Sequence, residues 1–325
     1  MQKLSSLRLP WPTDWQAVFG ADRRLILEIG FGYGAFLLHL ARQNPDANVI
    51  GVEIAGQCLS HVERAIERQR LTNVRPIHAT AETTLHHLFT PASLAEVHIN
   101  FPDPWFKKRH SHRRLMQRDT LDALVNRLQP GGLLFLATDI IEYAEMSAEL
   151  LASTPGLDNT LSTSWVNTLP GRVVTKYEGR AQREGRPCHY FAYRRNTVPA
   201  PAIPIIEEHP MSHMVFRSPL SLDEMLARFE SAEHRVGDTV VSLLYGYRGR
   251  NNLLFEVFIK EPTIDQHIAF LLTKRDHDDE YTLKLGTLGY PRTTAGVHHA
   301  VSILGNWLVS LHPQASIITS KLPAE

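Results

Sequence analysis

The chain has 325 residues, 43% apolar and 21% charged, with 34 basic and 34 acidic side chains that cancel. That length suits two domains, the composition is that of an ordinary soluble protein, and no stretch approaches a membrane span. Cys58 and Cys188 alone make no disulfide framework or zinc ribbon, and Met1 to Pro12 lack the apolar core of a signal peptide, so a cytoplasmic protein is expected.

The first part alternates strand and helix signals. Leu25 to Ile29 is a short apolar run that ends at Gly30-Phe31-Gly32-Tyr33-Gly34, and Ala35 to Arg42 then reads as a helix. Val49 to Ile54 is a second buried strand, closed by Glu53. Gly56 to Arg70 places Leu59, Val62, Ala65 and Ile66 at helical spacing. Val74 to His78 and Val97 to Phe101 read as the third and fourth strands, and Ser111 to Arg127 as an amphipathic helix. Pro130-Gly131-Gly132 is expected to turn the chain into a strand over Leu133 to Ala137, followed by Thr138-Asp139 and a helix over Glu142 to Ala152. Tyr190 to Arg194 reads as a further strand. This rhythm predicts an α/β fold, a mostly parallel, doubly wound, Rossmann-like sheet with helices on both faces. Ligands of such sheets sit at the carboxyl ends of the strands, where Glu28, Glu53, Asp103 and Asp139 fall.

Prolines 199, 201, 204 and 210 mark a semi-extended spacer, which gives a first domain over 1–198, a linker over 199–210 and a smaller α+β domain over 211–325. In that domain Ser221 and Glu224 form a capping-box pattern at the start of a helix, Leu222 to Phe229. Thr239 to Tyr247 and Leu253 to Lys260 read as a hairpin, and His267 to Lys274 and Tyr281 to Leu285 as another around the acidic turn 276–280. Val297 to Leu311 reads as a helix. His298-His299 reads as structural, and Arg248 to Asn252 as a solvated hairpin tip.

Charge is shared unevenly. Residues 1–200 carry 23 bases against 19 acids, and the remainder 11 against 15, so the first domain is the one expected to face an anion. The stretch from Asn100 to Arg114 concentrates that signal. Proline on both sides presents Asp103 on a stiff, non-helical turn, and Lys107, Lys108, Arg109, Arg113 and Arg114 follow at once. A fixed acid beside a basic cluster points to chemistry on a nucleic acid. Trp105 reads as a buried ring after the turn rather than a base-stacking platform. His110 and His112 have no ligand-spaced partner, so no metal is expected, and Cys58 and Cys188 read as inert. A second basic patch lies between Arg172 and Arg195.

The glycine turn fits the loose dinucleotide pattern, with Glu53 placed to take ribose hydroxyls. Glu28 narrows the choice. A pyrophosphate needs the positive end of the helix and would be repelled by an adjacent carboxylate, whereas an ammonium and a sulfonium are stabilised by it. The residues therefore favour S-adenosylmethionine. A nicotinamide-dependent dehydrogenase would need a site for hydride chemistry, and nothing but the glycine turn argues for it, while a non-catalytic RNA-binding protein would leave Glu28 and Glu53 idle.

Taken together, Glu28 to Gly34, Phe101 to Trp105 with the Lys107-Lys108-Arg109-His110 tail, Thr138-Asp139, and Thr175-Lys176-Tyr177-Glu178 resemble, in order, the tRNA (guanine-N7)-methyltransferases over about Trp11 to Arg195. The resemblance implies an S-adenosylmethionine-dependent enzyme acting on tRNA, in its variable loop; whether it is a monomer or homodimer the sequence leaves open. By motif, Glu28, Gly30, Gly32, Gly34, Glu53, Thr80, Ala81 and Asp103 resemble cofactor-binding residues, with Asp103 also the catalytic acid. Lys107, Asp139, Thr175, Lys176, Tyr177 and Glu178 resemble substrate contacts, and Arg109, His110, Ser111, His112, Arg113 and Arg114 an RNA-binding segment. One position departs: Thr80-Ala81 stands where the family has an acid followed by Ala, so Thr80 is expected to meet the adenine through its hydroxyl or the backbone. Residues from about 205 onward lie outside the resemblance.

Overall fold

The computed structural model describes residues 4–275 and 279–321. The chain divides into two compact units, Met1–Pro204 and Ile205–Glu325.

The strands of the first unit are β1 (Leu4–Ser5), β2 (Arg24–Ile29), β3 (Ala47–Glu53), β4 (Val74–His78), β5 (Leu94–Asn100), β6 (Leu128–Thr138), β7 (Leu157–Asn159) and β8 (His189–Arg195). Its helices are α1 (Trp15–Phe19), α2 (Ala35–Gln43), α3 (Gly56–Gln69), α4 (Ala81–Thr83), α5 (Arg118–Arg127), α6 (Ile141–Ala152) and α7 (Lys176–Arg183). A π turn, Thr84–Leu88, continues α4, and a 3-10 turn spans Lys108–Arg113.

The strands form one sheet in the order β1-β4-β3-β2-β5-β6-β8-β7. Pairing is parallel from β1 through β6, and antiparallel where β8 meets β6 and β7. Near-continuous apolar runs in β2, β3 and β5 suit strands covered on both faces. Leu27, Ile50 and Val97 pack with Trp15 of α1, Leu121 and Leu124 of α5 and Tyr143 of α6. Ile26 and Val49 instead meet Phe36 and Leu37 of α2 and Leu59 and Val62 of α3. Each such side chain taken from water contributes roughly 1.5–3 kcal/mol. The order reverses between β2 and β5, and their carboxyl ends open the crevice where a ligand is expected.

Two elements differ from expectation. Helix α5 begins at Arg118 rather than Ser111, because the preceding basic residues take a 3-10 turn and Gln117 is extended. The Pro130-Gly131-Gly132 segment does not precede a new strand. It lies within β6, which runs from Leu128 with a register shift against β5 and Gly131 at φ +85°.

Residues 196–212 form no helix or strand. The part through Pro204 is docked on the first unit: Asn126 Nδ2 donates to the Pro201 carbonyl at 2.9 Å, His86 Nδ1 meets the Pro204 carbonyl at 2.7 Å, and Ile203 packs on the core.

The second unit is a seven-stranded sheet in the order β10-β11-β12-β13-β14-β9-β15, antiparallel throughout. The strands are β9 (His213–Arg217), β10 (Ala232–Val236), β11 (Thr239–Arg248), β12 (Asn252–Glu261), β13 (Ile264–Lys274), β14 (Glu280–Leu285) and β15 (Ser316–Lys321), with helices α8 (Leu222–Ala227) and α9 (Ala295–Ser310). Phe216, Phe255, Phe270, Val257, Leu304 and Leu308 build its core. Ser221 caps α8 in the expected box with Glu224. Of the acidic turn, residues 276–278 lie outside the described residues.

Candidate active site

The site begins at the glycine turn. Gly30, Gly32 and Gly34 all have positive φ (+74°, +53° and +76°), and a Cβ at Gly34 would run into the Val62 side chain of α3. Only glycine permits both the left-handed backbone and that approach. The second wall is the loop after β5. Phe101 and Trp105 are non-glycine residues at φ +53° and +43°, one on each side of Pro102-Asp103-Pro104, a strained frame that holds Asp103 exposed at the rim.

Between the walls lies a cavity of about 510 Å³. Gly30, Gly32, Glu53, Ala79, Asn100 and Asp103 are among its lining residues, and Lys176 and Tyr177 close it from α7. Glu28 lines a smaller adjoining cavity of about 40 Å³ with Gly34, Asn100 and Thr175. Every residue lining these cavities belongs to the first unit.

Glu28 is 1% exposed. Its Oε1 accepts from Asn100 Nδ2 at 3.0 Å, and its Oε2 is buried with no hydrogen-bond partner among the described residues. Burial pushes its carboxyl up to about 7, against the Asn100 hydrogen bond and the Arg172 charge, with Glu53 adding to the rise. Glu53 is placed differently. Its Oε2 accepts from the Gly32 amide at 2.9 Å, and its Oε1 from the Ile54 and Ala55 amides at 2.8 and 3.0 Å. A carboxylate has about four acceptor positions, so these three bonds fix its orientation and leave room for a ligand hydroxyl.

A family model described as "Putative methyltransferase" matches residues 22–191. The "tRNA (guanine-N(7)-)-methyltransferase" of Burkholderia cenocepacia (strain HI2424) is 40% identical over 186 residues, 57% of this chain and 72% of that protein. The chain belongs to that family. Its namesake from Syntrophotalea carbinolica is 38% identical over 185 residues, 57% of this chain and 80% of that one. Among solved structures, "16S rRNA Methyltranferase KamB" aligns with a TM-score of 0.46 and 16% identity, covering 61% of this chain and 100% of that one. As a tRNA (guanine-N7)-methyltransferase family member, the chain is S-adenosylmethionine-dependent, and its fold is the Rossmann-like methyltransferase sheet.

The residues present fit that cofactor. The buried carboxylate oxygen of Glu28 has no hydrogen-bond partner among the described residues and suits an ammonium, Glu53 suits ribose hydroxyls, and the cavity is within the usual range for small-molecule sites, about 300–1,000 Å³. Thr80 is not among the lining residues. Its hydroxyl caps α4, accepting from the Thr83 amide at 3.1 Å and donating to Thr83 Oγ1 at 3.1 Å, while Ala79 and Ala81 line the cavity on either side of it.

The motif-derived substrate residues divide. Lys107 is exposed on the Asp103 loop, and Lys176 stands 4.5 Å from the Tyr33 ring centre, across the cavity mouth. Tyr177 is 53% exposed. Asp139 and Glu178 already have partners. Asp139 is ion-paired with Arg186, which also holds Glu184. Glu178 is 5% exposed, accepts from the Tyr190 hydroxyl at 2.8 Å, and completes a capping box with Thr175 at the start of α7.

The basic segment divides too. Arg109 is exposed and donates to His110 Nε2 at 3.2 Å, and Arg113 lies 5.1 Å over the Trp105 ring and lines the cavity. Arg114 is committed inward, its Nε donating to the Pro104 carbonyl at 2.9 Å and its Nη2 to the Trp105 carbonyl at 3.4 Å. It braces the Asp103 turn. The side chains of Lys108, Ser111 and His112 lie outside the described residues. Trp105, expected to be buried, is only partly so, because its left-handed backbone turns the ring along the cavity wall beneath Arg113. Cys58 and Cys188 are buried free thiols pushed upward by burial, as inert cysteines should be. No group of three or more metal-ligating side chains occurs among the described residues, and no described helix is long and apolar enough to cross a membrane.

Sequence reasoning assigns no role to Asn100 or Arg172. Asn100 ends β5 one residue before the proline turn, a position that in such sheets faces the ligand. Arg172 carries no signal beyond membership of a basic run.

Proposed function

We propose that this enzyme transfers the methyl group of S-adenosylmethionine to N7 of a guanosine in the tRNA variable loop, through the cavity between the glycine turn and the Asp103 loop. The observation that carries the reading is the unpartnered, buried Glu28 oxygen beside that cavity, a place built for a cation. When bound, the cofactor supplies an electrophilic methyl on a sulfonium, already a good leaving group.

The chain's residues then need to align and to balance charge. Guanine N7 offers a lone pair and has no proton to lose, so no strong base is required, and rate comes from orientation and electrostatics. Glu28 takes the ammonium end and Glu53 the ribose. Asp103, held on its strained turn, faces the purine as the ring becomes cationic and stabilises that charge. Asp139 and Glu178 are acceptors for the guanine N1–H and amino group. For Asp139 that role requires the Arg186 pair to open as the base enters. Lys107, Arg109 and Arg113 grip phosphates and supply salt-sensitive affinity. The first unit acts in the cytoplasm, where its substrate is met, and the second unit is an appended module.

The test is label transfer from methyl-tritiated S-adenosylmethionine to bulk tRNA, followed by nucleoside analysis. N7-methylguanosine as the labelled product supports the reading. Label in another nucleoside, or none, overturns it.

A further inference from the structure

Arg172 lies between Asn100, which bonds Glu28, and Tyr190, which bonds Glu178. Its guanidinium sits 4.6 Å from the Phe36 ring centre and 5.1 Å from that of Tyr190, held between an α2 side chain and a β8 side chain. One terminal nitrogen donates to Asn100 Oδ1 through a short hydrogen bond, while the buried Nε has no partner among the described residues. Asn100 in turn donates from Nδ2 to Glu28.

These hydrogen bonds run in one direction. A guanidinium can only donate, so Asn100 must turn its oxygen toward Arg172, and its amide N–H then points at Glu28. Without Arg172 the Asn100 oxygen loses its donor, and the amide is held from the Glu28 side alone. On the other side, Tyr190, one of the two rings that hold the guanidinium, donates to Glu178.

We propose that Arg172 is a positioning residue for the methyl-donor site: held between Phe36 and Tyr190, it fixes the Asn100 amide against the Glu28 carboxylate that receives the donor's ammonium. The inference rests on the reading of Glu28 as the ammonium acceptor. Charged and titratable groups near the pair are Glu53 beside Glu28, and Glu178, Tyr190, Cys188 and His98 around Arg172. Arg172 holds the Glu28 carboxyl lower than burial alone would, so its loss raises the pH at which Glu28 becomes charged.

The test is calorimetric titration of the full chain with S-adenosylhomocysteine, which carries the same ammonium, between pH 6 and 8.5. Glu28→Gln is expected to weaken binding and to flatten its dependence on pH. Arg172→Gln is expected to weaken binding about tenfold at pH 7 and less at pH 8.5, with the midpoint moved up by about one pH unit. A merely structural role would weaken binding without moving that midpoint. Wild-type affinity and midpoint in Arg172→Gln, with Glu28→Gln impaired, overturns the role of Arg172 and leaves that of Glu28 standing. Wild-type behaviour in Glu28→Gln overturns the ammonium reading, and this inference with it. If Arg172→Gln does not fold, Arg172→Lys decides. It keeps the charge but not the planar fork, so binding about threefold or more weaker is expected, and wild-type affinity refutes the clamp.

Discussion

Glu28 is a place where function opposes stability, and the size of that opposition can be worked out. Its carboxyl is pushed from 4.5 up to about 7 by burial. Between those values the folded protein holds a proton that the unfolded chain has released, so stability falls as pH rises through the window and is lowest above it. Roughly 2 kcal/mol of that loss falls between pH 5.5 and 8, since a tenfold difference in proton affinity between the folded and unfolded chain corresponds to about 1.4 kcal/mol. Glu28→Gln removes the titration. The variant should therefore gain about 2 kcal/mol more over wild type at pH 8 than at pH 5.5, about 4–8 °C in melting temperature for a domain of this size. It should do so while binding S-adenosylhomocysteine worse. Differential scanning calorimetry of both proteins at the two pH values measures this, and comparing differences removes titrations common to both. An equal gain at pH 5.5 and 8 would show that Glu28 is not strained by its burial.

Other outcomes follow from the same geometry. Asp103→Ala should lower kcat by about 10²-fold and cost S-adenosylhomocysteine affinity far less, and equal losses in both would deny it a role in the reacting state. Arg113→Ala should reduce the salt dependence of tRNA binding by about one phosphate contact without lowering the melting temperature. Arg114→Ala, which removes the brace under Pro104 and Trp105, should instead destabilise the first unit by about 1–3 kcal/mol, and a salt effect without a stability effect would reverse that assignment. Gly34→Ala should unfold or severely destabilise the glycine turn, since it adds left-handed strain to a collision with Val62. In the double variant with Val62→Ala the collision part should be relieved and the strain retained. A double variant no more stable than Gly34→Ala alone would place the whole effect in the backbone.

The sheet is legible in the sequence because strands buried on both faces leave continuous apolar runs, as in Leu25 to Ile29, and because helices such as α3 carry their spacing openly. The acids at the strand ends follow from the sheet alone. What escapes depends on partners distant in sequence. Asp139 reads as a free acid until Arg186, 47 residues on, is seen to pair with it, and Tyr190 does the same for Glu178 from 12 residues away. Thr80 stands at a ligand position in the sequence, and the structure shows its hydroxyl also capping α4. Helix α5 starts late because side-chain periodicity says nothing about a backbone that tightens into a 3-10 turn. In the second unit β9, β10 and β15 leave no readable signal. The first two are five residues long, and β15 is exposed along its whole length, so it has no alternation to read.

The claim on which the rest depends is that acids gathered at one rim of the sheet hold a cationic donor against a guanine while neighbouring bases hold the tRNA. It is tested most directly by incubating an end-labelled tRNA transcript with enzyme and S-adenosylmethionine, then cleaving with borohydride and aniline at N7-methylguanosine. The account expects one scission, at a guanosine of the variable loop, strong in wild type and much weaker at the same early time point in Glu28→Gln and Asp103→Ala. Scission elsewhere, or an undiminished band in both variants, would contradict it.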